Sequence, residues 1–181
     1  MRDQANTDDR PLQGQGVLDT PRLGGLWLVW SAVGLVQVRW PEQGRLEDGP
    51  PERTIPRHYA EPLSRYLQHK PVDPALVAID PRGTPFQLRV WEALRQVRRG
   101  TVRSYAGIAK DVGSPRAMRA VGSANAHNPL PLVVPCHRIV EAGNRLGGYS
   151  GGLERKKLLL ELEGVRVDES DRVLPGQLEL L

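Results

Sequence analysis

The residues able to do chemistry converge on Pro135-Cys136-His137-Arg138. Cys136 is the only cysteine among 181 residues, and His137 follows it directly. An apolar approach of Leu130, Leu132, Val133 and Val134 leads into the tetrapeptide, and Gly147-Gly148-Tyr149-Ser150-Gly151-Gly152 follows it. A thiol between a buried strand and a glycine loop has the setting of a nucleophile beside a substrate-sized gap. Taken alone, a single cysteine fits a small buried hydrophobe better, and its surroundings must decide. Adjacent side chains of a regular strand point to opposite faces, so adjacency does not make Cys136 and His137 a hydrogen-bonded dyad. Either the backbone kinks at Pro135 or a water connects them.

The elements that must position this thiol are readable from caps and periodicity. Thr84-Pro85-Phe86-Gln87 has an N-cap, a proline at the first helical position and a glutamine three residues on. This start predicts a helix to about Arg98, with Val90, Leu94 and Val97 inward and Gly100 as its stop. Ser104 caps a second short helix, Tyr105 to Val112, ended by Gly113. Ser114-Pro115 starts a third, running to about Ala126. Two short helices joined at a glycine, the second carrying Arg116 and Arg119, fit a helix-turn-helix. The third helix offers Ala117, Ala120, Gly122, Ser123, Ala124 and Ala126, too little side chain to read bases with. Small residues suit close approach to a groove with DNA bending, or packing against another helix, and both can hold on opposite faces. After Asn128-Pro129 the run from Leu130 to Val140 reads as extended, broken by Pro131 and Pro135. Leu153 to Leu162 reads as a last helix ending at Glu163-Gly164, and Val165 to Leu181 as room for one small strand.

The first half is less informative. Met1 to Gln15 is polar and reads as a frayed end. Leu26 to Trp30 and Leu35 to Trp40 read as two strands of an antiparallel meander. Pro41 to Pro56 reads as a loop, His58 to Gln68 as a short helix, and Ala75 to Ile79 as a strand fenced by prolines. His58 and His69 have no neighbouring cysteine or carboxylate cluster, so this half is given no catalytic role.

Charge separates the halves. Residues 1–81 hold nine Lys/Arg against eleven Asp/Glu, and residues 82–181 hold sixteen against ten. From Arg82 to Arg119 nine basic residues face only Glu92 and Asp111. Such a block suits a polyanion such as nucleic acid, and equally a solvated basic face. A single cysteine excludes an internal disulfide framework and a four-thiolate zinc site. A free thiol suits a reducing compartment, so an intracellular, cytoplasmic protein is expected. No signal peptide is read at the start, and no apolar run approaches the roughly 20 residues that span a bilayer.

Five blocks in register carry a resemblance. Ser104-Tyr105, Arg119-Ala120-Val121-Gly122, Asn128-Pro129, Pro135-Cys136-His137-Arg138 and Tyr149-Ser150-Gly151-Gly152-Leu153 resemble the O6-alkylguanine-DNA alkyltransferases, from about Thr84 to Gly164. Asp19-Thr20-Pro21 and the strand ending at Trp40 resemble that family's N-terminal domain more loosely.

The resemblance implies an α+β protein. Residues 1–81 would form a ribonuclease-H-like antiparallel sheet with a helix. Residues 82–181 would form a helical, winged-helix-like domain containing the helix-turn-helix. It further implies a monomer that binds the minor groove of duplex DNA, associates with the nucleoid when bound, and flips an alkylated guanine out of the stack. Cys136 would take the alkyl group irreversibly as a thioether, once per molecule. His137, through a water, would be the base, oriented by Glu163, and Tyr105 the proton donor to the leaving guanine. The Ser150 N–H would stabilise charge at O6, and the carbonyls of Cys136 and Ile139 would accept from the guanine amino group. Tyr149 would wall the pocket, Arg119 would fill the vacated place in the stack, and Asn128 would hold the turn into the active site. Ser104, Arg116 and Ala120 complete the DNA-binding set. No cofactor and no metal are implied, because the zinc-holding cysteines of some members are missing here. Competing readings are a non-catalytic lesion-recognition protein, a helix-turn-helix transcription factor, and a thiol hydrolase using Cys136 and His137.

Overall fold

The structure is a computed structural model that describes residues 10–174. The chain divides into two compact units, one of residues 10–88 with 129–133, the other of residues 89–128 with 134–174. The class is mixed α+β.

The first unit is built on a three-stranded antiparallel sheet in the order β1-β2-β3, with β1 Leu12–Leu18, β2 Leu26–Ser31 and β3 Leu35–Arg39. β2 is the central strand and is apolar on both faces, Leu26, Leu28 and Val29 being fully buried. Helix α1, Arg57–Leu67, buries Tyr59, Leu63, Tyr66 and Leu67 at helical spacing.

Two expectations for this half are corrected. Leu12 to Gln15 is not a frayed end but the start of β1. Its Gln-Gly-Gln-Gly letters look solvent-seeking, yet Gln15 is buried. It donates to the Leu46 and Pro50 carbonyls (3.1 and 2.7 Å) and accepts from the Leu46 N–H (2.8 Å). Ala75 to Ile79 is not a strand: Pro74–Leu76 is a 3-10 turn capped by Asp73, and only Ile79 makes a bridge, to Leu35. The segment 129–133 returns to this unit, where the Pro129 carbonyl accepts from the Val38 N–H at 2.9 Å.

Helix α2, Pro85–Arg95, begins with the expected reciprocal cap: Thr84 Oγ1 accepts from the Gln87 N–H, and Gln87 Oε1 accepts from the Thr84 N–H. It ends three residues earlier than the periodicity suggested. In the second unit, β4 Arg103–Ser104 runs straight into α3 Tyr105–Asp111, and α4 is Met118–Ala126. Ser104 Oγ caps α3 by accepting from the Gly107 N–H at 3.0 Å. The turn between α3 and α4 passes through Gly113 at φ +69° and continues to Ala117, so α4 starts later than Ser114-Pro115 suggested. Its buried face is Val121, Ala124 and Asn125, and Trp91 Nε1 donates to the Ala124 carbonyl at 2.9 Å.

The expected extended run up to Val140 is also corrected. Cys136–Arg138 is one turn of 3-10 helix, and only Ile139–Val140 is strand, β5. β5 pairs in parallel with β4, Arg103 beside Ile139 and Ser104 beside Val140. α5, Leu153–Leu162, closes the unit over a core of Val102, Val140, Leu146, Leu160, Val165 and Val173. Beyond it only single bridges form, Val167 to Val173 and Arg145 to Arg172, and residues 175–181 lie outside the described ones. No helix among the described residues is long and apolar enough to cross a membrane.

One packing constraint in the sheet is directly testable. A Cβ at Gly14 would lie 2.5 Å from Trp30 Cζ2, across the β1–β2 ladder. Gly14→Ala therefore overpacks the sheet and lowers stability by about 1–3 kcal/mol, measurable as a reduced midpoint in urea with an unchanged m-value.

Candidate active site

The 3-10 turn settles how adjacent residues can serve one site. Pro135 at φ −79°, ψ 63° bends the chain, and the Cys136 N–H donates to the Val134 carbonyl at 2.8 Å. The Cys136 and His137 side chains then meet different partners, and no hydrogen bond joins the imidazole to the thiol.

Cys136 is buried and free of any disulfide. Asn128 Nδ2 sits 3.0 Å from its Sγ and 2.8 Å from the Val134 carbonyl, so the two amide hydrogens fix the sulfur relative to the incoming chain. Burial pushes the Cys136 thiol up from its ordinary range. Opposing this are the Asn128 hydrogen bond, the charge of Lys156, the residue's own backbone and the neighbouring Tyr149 hydroxyl. The resting sulfur is therefore a thiol that needs a base.

His137 is wholly buried, with Nε2 2.9 Å from Glu163 Oε1. Burial lowers its pKa against the opposing pull of Glu163, so the ring rests neutral. An ionised carboxylate only accepts, which puts the ring proton on Nε2 and leaves Nδ1 with a lone pair. Nδ1 has no protein partner among the described residues. Glu163, at the C-terminal end of α5, also receives Arg138 Nε at 3.0 and 3.2 Å, Arg138 Nη2 at 2.9 Å and the Gly100 N–H at 3.3 Å. Burial pushes the Glu163 carboxyl up, but the His137 hydrogen bond together with the charge and hydrogen bonds of Arg138 hold it well below the usual carboxylate range.

Tyr105 opens α3 directly after the β4–β5 ladder. Tyr105, Gly122, Asn125, Tyr149 and Ser150 line a cavity of about 330 Å³. Gly122 leaves room there, since a Cβ would stand 4.0 Å from Tyr105 Cε1. Arg119 and Ala120 lie exposed in the first turn of α4, with Arg116 exposed just before it. Ser104 is engaged in its helix cap. The Cys136 carbonyl already accepts from the Ile139 N–H, and the Ile139 carbonyl from Lys156 Nζ at 2.6 Å, which leaves each one further lone pair. The structure thus brings together Cys136, His137, Glu163, Asn128 and Ile139, and groups Tyr105, Tyr149 and Ser150 around the cavity.

Three residues escaped the sequence reading. Arg138 was noted only as part of its tetrapeptide, yet it is fully buried and also donates to the Val97 carbonyl at 2.7 Å. Lys156 is buried on α5 and binds the carbonyls of Ile139 and Leu146. Burial lowers its pKa to about 8, against the attraction of Cys136 and Glu141. The signal was present: Lys156 falls one turn before Leu159 and Leu160 on the helical stripe that faces inward. Asn125 sits likewise among the buried residues of α4.

The site defines a class: an α+β protein with one buried thiol, a His–Glu pair behind it and a helix-turn-helix beside it. The family model described as "6-O-methylguanine DNA methyltransferase, DNA binding domain" matches residues 85–165. The crystal structure of Mycobacterium tuberculosis OGT in complex with DNA aligns at TM-score 0.76 and 40% identity, covering 83% of this chain and 92% of that one. The O6-methylguanine-DNA methyltransferase of Pyrococcus kodakaraensis KOD1 aligns at TM-score 0.62 and 29% identity, covering 83% and 99%. The methylated-DNA--protein-cysteine methyltransferase of M. tuberculosis H37Rv is 54% identical over 90 residues, 50% of this chain and 54% of that protein. This chain belongs to the O6-methylguanine-DNA methyltransferase family. Its match spans about half the length of that curated relative.

The electrostatics fix two outcomes. Glu163→Gln leaves Arg138 buried without its counter-charge and costs about 3–5 kcal/mol in urea unfolding. Because the folded pKa of Glu163 is depressed, its contribution to stability is present above the ordinary carboxylate range and is lost as pH falls below it; the acid limb of the wild-type stability profile should shrink in Glu163→Gln. Lys156→Met removes a buried charge at similar volume. It also leaves the Ile139 and Leu146 carbonyls without their donor, so it lowers the thermal midpoint while raising the Cys136 pKa, read by thiol alkylation with iodoacetamide across pH.

Proposed function

We propose that this protein repairs DNA by moving the alkyl group of O6-alkylguanine irreversibly onto Cys136. The observation that carries this reading is the sole thiol of the chain, gripped by Asn128 next to a His137–Glu163 pair. Family membership and the solved OGT–DNA complex support it.

The helix-turn-helix of α3 and α4 enters the minor groove, where the small exposed residues Ala120, Ser123 and Ala126 permit close approach. Arg119 takes the place of the flipped nucleotide, with Arg116 and the Ser104 turn on the phosphate backbone. The alkylated base enters the cavity between Tyr105, Tyr149 and Ser150, at an unstacking cost of about a few kcal/mol that a weakened lesion pair reduces.

In the chemical step the thiol proton passes through a water to His137 Nδ1, and Glu163 stabilises the imidazolium that results. The thiolate attacks the alkyl carbon and forms a C–S bond. The C–O6 bond breaks, its electron pair goes to the purine, and Tyr105 gives its proton to the leaving base; the imidazolium then loses its proton to solvent and the phenolate regains one from it. The Ser150 N–H meets the charge at O6, and the free lone pairs of the Cys136 and Ile139 carbonyls accept from the exocyclic amine. Lys156 favours the thiolate from behind and aims the Ile139 carbonyl. A thioether has no hydrolytic exit and the chain has no second thiol, so each molecule acts once. It acts as a monomer.

Intact mass spectrometry tests this with a short duplex carrying one O6-methylguanine. A single methyl gain, confined to Cys136 and absent in Cys136→Ala, is expected. Lesion-preferring binding without mass gain would replace transfer with recognition alone, and multiple turnovers would point to a hydrolase. In the same assay Arg119→Ala should slow transfer from duplex far more than transfer from free O6-benzylguanine, which needs no flipping.

A further inference from the structure

We propose that Asn125 is a positioning residue for Tyr105: it holds the phenol oxygen from behind, so that the hydroxyl proton is turned toward the base in the cavity. This rests on the alkyl-transfer reading above, in which Tyr105 protonates the leaving guanine.

Three observations meet at this side chain. Asn125 Nδ2 lies 3.4 Å from Tyr105 Oη, across from α4 to the start of α3. An amide nitrogen can only donate, so the phenol oxygen accepts and its single proton must point elsewhere. Tyr105 and Asn125 line the same cavity, where the leaving base would lie. Catalytic hydrogen bonds are commonly long before substrate arrives and tighten once it is seated.

The second observation is burial. Asn125 is 94% buried, on the α4 face that also buries Val121 and Ala124. Packing alone at that position is served by an apolar side chain, which would leave no polar atom to satisfy. Asn125 Oδ1 instead stays buried without a protein partner among the described residues. A half-satisfied amide in a core position is a cost that stability does not explain, and that a task at the site does.

The third is electrostatic direction. Burial raises the Tyr105 pKa, the Asn125 hydrogen bond lowers it, and the nearby Cys136 and Glu141 raise it. A donor on the phenol oxygen favours the phenolate, so Asn125 makes Tyr105 the stronger acid at the moment a proton is needed. Among its polar neighbours, Asn125 on α4 is the one that acts in this sense; Cys136 in the turn and Glu141 after β5 act against it.

A double-mutant cycle on single-turnover methyl transfer tests this, using wild type, Asn125→Leu, Tyr105→Phe and the double variant with an O6-methylguanine duplex. Asn125→Leu should slow transfer on the order of tenfold, a part of the about 10²–10⁴-fold that a placed general acid contributes, with affinity for undamaged duplex unchanged. In the Tyr105→Phe background the same substitution should cost less than about twofold, because the group it acts through is gone. Equal losses in both backgrounds would overturn the proposal. A second readout does not need transfer: with ¹³Cζ-labelled tyrosine, the Tyr105 resonance should titrate at higher pH in Asn125→Leu, and an unmoved titration also overturns it. Asn125→Ala repeats both measurements if the leucine variant does not fold. Wild type that puts no methyl group on Cys136 sinks the alkyl-transfer reading instead, and the tyrosine titration still decides the Asn125–Tyr105 coupling.

Discussion

The carboxylate of Glu163 is the charge on which the second unit depends. Taking it out of water is expensive, and only near-complete compensation makes it tolerable. Two nitrogens of Arg138, the His137 ring and the Gly100 N–H provide that compensation. The same contacts join the end of α5 to the turn that holds the cysteine and to the loop after α2. Arg99 and Arg138 extend the lacing to the Leu162 and Val97 carbonyls. A structural ion cluster and the orientation of an imidazole are thus one set of atoms. Because the carboxylate can only accept, the tautomer of His137 follows from it as well.

The thiol is governed by a balance rather than by a single partner. Burial alone would keep Cys136 protonated and inert. Asn128, Lys156 and Tyr149 each shift it part of the way back. A dry, protonated cysteine is protected from stray oxidants and electrophiles, which suits a group that is used once. In the proposed transfer its activation depends on His137, whose own burial keeps it neutral at rest. The 3-10 turn makes this arrangement available to two adjacent residues. It sends the sulfur toward Asn128 and the ring toward Glu163, so that they need not contact each other directly.

Helix α4 shows how small residues can serve two surfaces at once. Val121, Ala124 and Asn125 turn inward, while Arg119, Ala120, Ser123 and Ala126 remain exposed. The inward face allows Gly122 and Asn125 to stand beside Tyr105. Beyond Met118 and Arg119 in its first turn, the outward face keeps only short side chains, a surface suited to close backbone approach rather than to base reading.

Local chemistry determined much of this from the sequence alone. The Thr84–Gln87 cap, the Ser104 cap, the short helices and the motif around Cys136 were legible because each depends on residues within a few positions of one another. Tertiary structure decided the rest. Gln15 looked solvent-seeking until three contacts to the Leu46–Pro50 segment made it a buried strand residue. Ala75 to Ile79 has strand-forming letters but gains only one bridge, and proline at its start favours the turn. Lys156 and Arg138 carry charges that no local rule places in a core. They are interior because carbonyls and a carboxylate brought from elsewhere in the chain satisfy them there. Short-range steric and hydrogen-bonding preferences are written in neighbouring letters, whereas the burial of a polar group depends on partners that only the folded chain assembles.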